Sequence, residues 1–209
     1  KRMFRKTPLV TEHNYHIFNR GVNKAKIFFG DEDYEYFLNA AVHYKERVTK
    51  FSYSKFESDD TVSSRLLPAQ KVQILAYCLM PNHFHLLLKQ LVDGGISSYM
   101  RHLANSHAHY INIKYSRRGP LYEGRFKNAL IETNEQLIHV SRYIHLNPIV
   151  SGLVSDLKNY KWSSYLGYVD NVEDKLCDSE GVLENFKSRE DYEKFVADQV
   201  DYGKELDRI

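Results

Sequence analysis

The sequence predicts an α+β protein with a ferredoxin-like split βαβ fold: an antiparallel sheet with helices on one face, plus a small C-terminal helical extension. Three observations lead to this prediction. The 209 residues are 43% hydrophobic and 27% charged, which excludes disordered and collagen-like chains. Strand-like and helix-like segments follow each other in the order β–α–β–β–α–β–α. No apolar run approaches the ~20 residues that span a bilayer, so we expect a cytoplasmic protein without a membrane partner.

The first strand and helix have clear signals. Residues 15–19 are typical of a strand, which the turn Arg20-Gly21 ends. A helix is predicted over 31–50, because acidic residues crowd its first turn and apolar residues follow at helical spacing. The polar stretch 52–70 predicts a loop or a hairpin insertion.

A β-hairpin and a long helix come next. The apolar runs 72–79 and 83–90 are separated by a Met-Pro-Asn turn, which predicts two paired antiparallel strands. A helix over 97–114 is predicted to begin with Ser97 or Ser98 as its N-cap. Its apolar residues recur at helical spacing, so one face of this helix is expected to be buried.

The remaining elements surround a capping signal. Residues 126–132 predict a fourth strand, and Thr133-Asn134-Glu135-Gln136 is a capping-box signature that opens a helix ending at Leu146 or Asn147. Pro148 is predicted to begin a short separate helix that Gly152 ends. Turns and short helices are expected from about residue 155, and the tail 179–201 is expected to be helical. We place the domain that carries the chemistry at 13–154 and the C-terminal extension, with its acidic tail, at 155–209.

The charges are divided unevenly along the chain. The net charge is only +2, yet residues 1–169 hold 23 basic and 14 acidic side chains (+9) and residues 170–209 hold 6 and 13 (−7). A basic body favours a polyanionic partner, although two solvated surfaces explain the same numbers. Tyr122 and Phe126 lie among these cations, either as base-stacking rings or as core residues. The candidate nucleic-acid contacts are Arg20, Arg101, Lys114, Arg117, Arg118, Arg125 and Lys127.

Two histidines stand on one predicted strand. His83 and His85 are separated by one residue, so both side chains leave the same face of the sheet, and Phe84 points to the opposite face. Two imidazoles on a polar face can bind one divalent cation. The alternative is a pair of solvated or hydrogen-bonded histidines.

A tyrosine and an asparagine lie one turn apart on the helix after the capping box. Tyr143 and Asn147 are at i and i+4 and therefore share a face. Ile144 and Leu146 have the character of core residues, which leaves Tyr143 available for another role. A tyrosine at this spacing is otherwise explained by packing.

Five collinear segments between residues 13 and 168 resemble a known family. Together they resemble the REP-associated tyrosine transposases, which are relatives of the insertion-sequence-200 family and carry a His-hydrophobe-His motif with a single tyrosine. The segments are Tyr15-His16-Ile17-Phe18-Asn19-Arg20-Gly21, Tyr77-Cys78-Leu79-Met80-Pro81-Asn82-His83-Phe84-His85-Leu86-Leu87, Gly124-Arg125-Phe126-Lys127, Arg142-Tyr143-Ile144-His145-Leu146-Asn147-Pro148 and Trp162-Ser163-Ser164-Tyr165.

The resemblance implies a role for four residues. Tyr143 would be the nucleophile, and His83 and His85 would bind a metal ion, with Asn147 as the third ligand. The implied activity is a transposase-like single-stranded DNA endonuclease and strand transferase that acts at hairpin-forming palindromes through a 5′-phosphotyrosine. The implied cofactor is Mg²⁺ or Mn²⁺.

Two other functions remain open from the sequence. One is a catalytically idle DNA- or RNA-binding regulator on the same fold. The other is metal-dependent hydrolysis by an activated water. The resemblance implies a single-stranded or hairpin DNA partner, and it is compatible with either a monomer or a homodimer, since members of the two related groups differ in this respect.

Overall fold

The computed structural model describes residues 8–45, 70–170 and 172–199. Nearly all of the predicted insertion and the first seven residues of the basic N-terminus lie outside the described residues, as does the chain beyond 199. The strands are β1 (Asn14–Arg20), β2 (Val72–Met80), β3 (His83–Gln90) and β4 (Lys127–Ile131). The helices are α1 (Asp31–Tyr44), α2 (Gly95–Lys114), α3 (Asn134–Val150), α4 (Tyr165–Val169), α5 (Glu180–Leu183) and α6 (Arg189–Ala197).

The four strands form one antiparallel sheet in the order β2-β3-β1-β4. This order places β1 between β3 and β4, as the split βαβ arrangement requires. The predicted ferredoxin-like fold is therefore confirmed. The register sets Arg20 of β1 opposite His83 of β3, and Phe18 opposite both His85 and Lys127.

Helices α1 and α2 cover one face of the sheet. Phe84, Leu86 and Leu88 of β3 point into this core, where they join Tyr15 and Ile17 of β1. All five side chains are fully buried. The alternation predicted for β3 is confirmed, because its histidines leave the opposite face.

Helices lie on both faces of the sheet, so the prediction that they lie on one face is wrong in this respect. Helix α3 packs across β2 and the adjoining part of β3, with Ile144 against Ala76, Cys78 and Leu87 in a second core. The reason is that α3 is apolar on the side facing β2 and needs a cover. On the side toward β1 and β4, Lys127 and Ala129 of β4 are exposed among the described residues.

The C-terminal extension completes this second core. Val182, Tyr192 and Val196 are fully buried against α3. The segment after α3 also pairs with the outer edge of β2, where the Leu79 amide donates to the Trp162 carbonyl at 2.9 Å. Covering a sheet edge in this way removes its unpaired backbone groups. The extension thus packs on the body of the protein.

Three helix boundaries differ from the sequence prediction. Helix α1 ends at Tyr44, and residues 46–50 of the predicted helix lie outside the described residues. Helix α2 begins at Gly95, because Gly94 adopts a φ of +66° and a β-carbon at Gly95 would clash with the Lys71 carbonyl. Helix α3 continues through Pro148 to Val150 instead of ending before it. The tail contains two helices, α5 and α6, and Ser188 starts the second by accepting a bond from the Asp191 amide.

No helix in the described part of the chain is long and apolar enough to span a membrane.

Candidate active site

The two histidines of β3 stand side by side on the sheet face that α3 partly covers. The ring centroids of His83 and His85 are 4.9 Å apart, and the rings are nearly perpendicular at 88°. His85 is buried and His83 is half-buried. The period of two residues along the strand places both imidazoles on this face, as predicted.

The hairpin turn fixes the tautomer of His83. Asn82 donates its amide nitrogen to the Lys24 carbonyl at 3.2 Å, which turns its Oδ1 toward His83. His83 Nδ1 lies 2.6 Å from that oxygen. Because an amide oxygen only accepts, Nδ1 must carry the proton in this pair. The lone pair of His83 is therefore on Nε2, the atom that remains available to a ligand.

A third histidine holds His85. Nε2 of His16, on β1, lies 2.8 Å from Nδ1 of His85, and the two rings stack with centroids 5.0 Å apart. One of these two nitrogens carries the shared proton. When it is on His85 Nδ1, the lone pair of His85 is on Nε2, as in His83, and both imidazoles can ligate through the same type of atom.

All three imidazoles are neutral near pH 7. Burial lowers the pKa of His83 below its usual value, and it lowers the pKa of His85 further. Burial also lowers the pKa of His16 to about 4. A neutral imidazole is the form that binds a metal ion, so the fold keeps these rings ready for ligation without prior proton loss.

Tyr143 reaches the same place from α3. Its ring lies edge-on to His85 and His16, with centroid distances of 5.5 and 5.8 Å. Its exposed fraction of 53% keeps the hydroxyl open to an incoming substrate. Partial burial raises the pKa of Tyr143 above its usual value of about 10. The phenol is therefore protonated at neutral pH and needs an electrostatic partner to act as a nucleophile.

Asn147 presents its oxygen because Pro148 follows it. Proline lacks the amide that would bond to the Ile144 carbonyl, and the Asn147 amide nitrogen turns back onto the helix. It donates to the Tyr143 carbonyl at 2.8 Å and lies 3.5 Å from that of Ile144. The side chain also interacts with the His83 ring and with the Tyr143 side chain. The amide nitrogen is thus engaged with the helix, and Oδ1 is the atom of Asn147 that would bind a metal ion.

A buried polar network anchors the helix that carries Tyr143. Nδ1 of His145 lies 2.8 Å from the Tyr192 hydroxyl, and Nε2 lies 2.8 Å from the Ser164 hydroxyl. Ser141 joins the Tyr192 hydroxyl at 3.1 Å. Both partners of His145 belong to the C-terminal extension. The extension therefore helps to hold Tyr143 at the histidines of its own chain.

The donor set fits a divalent cation with mixed nitrogen and oxygen ligands. In residues 8–45, 70–170 and 172–199 there is no group of three or more His, Cys, Asp or Glu side chains arranged to hold a metal. His83 and His85 would supply two imidazole nitrogens, and the Asn147 amide oxygen would be the third ligand. Two imidazoles and one neutral oxygen suit Mn²⁺ more than Mg²⁺ and leave positions for substrate oxygens.

Two of the candidate DNA-contacting cations are engaged within the protein. Lys114 contacts the carboxylates of Asp33 and Glu32, each at 2.8 Å, and Asp33 is fully buried. Arg20, opposite His83 in the sheet, forms an ion pair with Glu123. Lys114 is therefore explained by its role in the fold, because it neutralises a buried carboxylate.

The other candidate cations lie in three places. Arg101 and Arg125 line one groove, on the sheet face opposite the histidines. Lys127 is exposed at the start of β4. Arg117 and Arg118 follow α2, with Arg118 exposed.

The two aromatic residues for which the sequence left a choice have different surroundings. Tyr122 belongs to the first core, where its hydroxyl lies 2.6 Å from His107 Nδ1. Phe126 is half-buried and lines the same groove as the two arginines. The structure therefore assigns Tyr122 to the core and Phe126 to the wall of the groove.

Comparison with known proteins explains the convergence of these residues. Residues 9–147 match the family model described as "Transposase IS200 like". The chain belongs to this family of transposases. The match ends at Asn147, so it includes all four residues of the site. No curated protein matches this IS200-like transposase.

The fold of this IS200-like transposase also matches solved structures. One is described as the structure of the REP-associated tyrosine transposase bound to a REP hairpin. The similarity covers 84% of this chain and 94% of the other, with a TM-score of 0.59 and 14% sequence identity. At this identity the similarity shows a shared fold.

Sequence reasoning missed His16 as part of the site of this transposase. Its signal is present in the alternation of β1, because His16 and Phe18 point to the face opposite the core residues Tyr15 and Ile17. The predicted strand order already placed β1 next to β3. A polar residue on the uncovered face of that neighbour was therefore a candidate partner for His85.

Proposed function

We propose that this transposase cleaves and rejoins single-stranded DNA at or near hairpin-forming palindromes, with Tyr143 as the nucleophile. The observation that carries the proposal is the convergence of Tyr143, His83, His85 and Asn147. They come from one strand and one helix. The two that are nearest in the sequence, His85 and Tyr143, are 58 residues apart. A protein that only binds nucleic acid does not need this set of side chains in one place.

The chemistry forms one bond for each bond it breaks. The Tyr143 oxygen attacks a DNA phosphorus, the P–O3′ bond breaks, and the products are a 5′-phosphotyrosine and a free 3′-OH, whose oxygen takes up a proton. The phosphoester bond is conserved in the enzyme–DNA link. A second 3′-OH can therefore reverse the step and join two strands without a nucleotide cofactor.

The residues of the site divide the work. His83, His85 and Asn147 would hold Mg²⁺ or Mn²⁺, and a bound divalent cation stabilises the negative charge of the reacting phosphate. Asn82 and His16 orient the two imidazoles. Because burial raises the pKa of Tyr143, its deprotonation depends on positive charge close to the phenol.

The test is a covalent-adduct gel with a labelled DNA hairpin that carries single-stranded flanks. We expect wild type to form a protein–DNA adduct in Mn²⁺ or Mg²⁺, and Tyr143→Phe to form none. Tyr115→Phe is the matched control, since Tyr115 is also partly exposed but bonds to Asp33 away from the site. An adduct in the Tyr143→Phe variant would refute the assignment of the nucleophile.

The same gel tests the two alternatives. The double variant His83→Ala/His85→Ala should lose the adduct while it keeps most of its DNA affinity, because the basic surface is unchanged. Cleavage that survives Tyr143→Phe without an adduct would indicate hydrolysis by an activated water. DNA binding without cleavage by the wild-type protein, in either metal, would indicate a regulator.

A further inference from the structure

Arg20 is the last residue of β1, and its side chain lies on the same sheet face as the histidines. Strand residues alternate between faces, and Ile17 and Asn19 are buried on the face that α1 and α2 cover. Arg20 therefore shares the opposite face with Phe18. The register sets Arg20 directly opposite His83, a position at which the two β-carbons are about 4.5–5.5 Å apart. The guanidinium thus belongs to the immediate surroundings of this histidine.

Glu123 holds this arginine at one nitrogen only. Its carboxylate accepts a hydrogen bond from Nε of Arg20, and its backbone amide donates to the Arg20 carbonyl at 2.9 Å. Hydrogen bonding to Arg20, together with the charge of the guanidinium, keeps the pKa of Glu123 below its usual value, so the carboxylate stays ionised. Within the described part of the chain, Nη1 and Nη2 of Arg20 bond to no other group. The arginine is oriented by a partner and keeps most of its N–H donors for a ligand.

The side chains of the site follow each other in a fixed order along the sheet. Tyr143 lies edge-on to His85 and His16, and among the aromatic contacts of the described residues it has none with His83. His83 lies two residues from His85 along β3, about 7 Å closer to the hairpin turn. Arg20 stands beside His83. The phenol and the guanidinium are therefore at opposite ends of the histidine pair.

The reaction needs stabilisation at two opposite ends. In an in-line displacement, the attacking oxygen and the leaving oxygen lie on opposite sides of the phosphorus. The leaving oxygen here is O3′, which gains negative charge as the P–O3′ bond breaks. A fixed positive donor at the place where this charge develops accelerates the step. When Tyr143 attacks from its end of the histidine pair, O3′ departs toward the end at which Arg20 lies.

We propose that Arg20 is a further catalytic residue, which donates hydrogen bonds from Nη1 and Nη2 to the departing O3′, and that Glu123 positions it. The inference rests on the proposed function, because it assigns a protein group to the leaving oxygen of the same reaction. One bond forms, from the Tyr143 oxygen to phosphorus, and the P–O3′ bond breaks. The phenol gives its proton to solvent and O3′ takes one from solvent, so Arg20 stays protonated throughout. In the joining step the same donors receive the 3′-OH that attacks.

The test replaces the leaving oxygen by sulfur. A labelled DNA hairpin with single-stranded flanks carries either the natural O3′ or a 3′-sulfur at the position where the wild-type protein cleaves. Thiols are far more acidic than alcohols, so a thiolate leaves with less help from a donor. The rate of adduct formation is measured in single turnover with Mn²⁺ for wild type, Arg20→Ala and Lys24→Gln. Lys24 is the charge-matched control, because it is exposed and its charge also acts on Glu123, but it lies in the loop after β1.

Arg20→Ala should slow adduct formation on the oxygen substrate about 100–1,000-fold, which is the usual cost of removing one such donor. Its loss on the sulfur substrate should be at least about tenfold smaller. Lys24→Gln should change neither rate. Arg20→Ala should bind Mn²⁺ no more weakly than wild type in the absence of DNA, because the substitution removes no candidate ligand and takes away a positive charge.

Equal losses on the two substrates would overturn the proposal, because Arg20 would then act on a phosphate or on the fold. Weaker Mn²⁺ binding by Arg20→Ala would overturn it too, since displaced histidines would explain the slower reaction. A loss confined to the oxygen substrate in Lys24→Gln would show a general effect of positive charge and not a contact of Arg20. If wild type forms no adduct with either substrate, the proposed function itself is refuted. A wild-type adduct with equal losses in Arg20→Ala refutes only the role of Arg20.

Discussion

The hydrogen bond between His16 and His85 allows a sharp test of how the site is organised. The substitution His16→Phe keeps a ring of similar size on β1 and removes the atom that faces His85 Nδ1 at 2.8 Å. His16→Gln is the conservative partner variant, because its side-chain oxygen can replace Nε2 as the acceptor. His85 itself is buried, so water cannot easily replace the lost partner.

The expected size follows from that burial. An unsatisfied polar group in the interior costs about 1–3 kcal/mol, and each 1.36 kcal/mol corresponds to about a factor of ten in an equilibrium constant. Loss of the hydrogen-bond partner of a metal-binding imidazole typically lowers metal affinity about 10–100-fold. We expect His16→Phe to raise the Kd for Mn²⁺ by about this factor, and His16→Gln to restore most of the affinity.

The assay is a Mn²⁺ titration of the DNA-free protein, followed by electron paramagnetic resonance of the unbound ion. DNA affinity in EDTA serves as a second readout and should be the same in all three proteins. If His16→Phe binds Mn²⁺ as tightly as wild type while His83→Ala does not, the reasoning is wrong. Equal losses in the Phe and Gln variants would also refute it, because the effect would then not depend on the hydrogen bond.

Two further predictions concern stability. Burial lowers the pKa of His107 and His145 to about 3. Below about pH 6.5 the unfolded chain therefore binds protons that the folded protein does not. For each of the two histidines, the free energy of unfolding should fall by about 1.4 kcal/mol for every unit by which the pH is lowered. In urea titrations between about pH 4.5 and 6.5, His107→Gln should reduce the slope of the free energy of unfolding against pH by about 1.4 kcal/mol per pH unit, the contribution of one histidine. An unchanged slope would contradict the lowered pKa of His107. Tyr192→Phe removes the hydroxyl that joins His145 to Ser141 and should cost about 1–3 kcal/mol. Tyr165→Phe is its control, because Tyr165 is also buried and its hydroxyl forms no hydrogen bond with a described residue. Equal losses in the two variants would show that the effect does not depend on the network.

The elements that depend on a local period were predictable from sequence. The alternation of β3 placed His83 and His85 on one face, and helical spacing placed Tyr143 and Asn147 on one side of α3. The strand order followed from the sequence of elements, because few topologies connect a hairpin between two crossovers. These local rules suffice to bring most of the site together.

The features that depend on distant contacts were not predictable. Helix α3 continues through Pro148 because its apolar side is buried against β2, and the side-chain amide of Asn147 lies 3.5 Å from the Ile144 carbonyl that Pro148 cannot bond, which no local rule reveals. The sequence shows that Lys114 is basic, but only the fold shows that it neutralises Asp33, 81 residues away. Charge counts therefore overstate the surface that is available to DNA.

The contacts of α3 lead to a prediction about which chain supplies the tyrosine. Tyr143 lies against His85 of its own chain, and the His145 network ties its helix to the extension, so the four proposed site residues lie together within one chain. Mixing Tyr143→Phe with the His83→Ala/His85→Ala variant should therefore give no covalent adduct at any ratio. A site shared between two chains would instead combine the intact tyrosine of one variant with the intact histidines of the other and restore the adduct. To reach the histidines of a partner chain, α3 would have to break the buried contacts of His145. Recovery of the adduct in the mixture would therefore show that the packing of the extension does not fix the position of Tyr143.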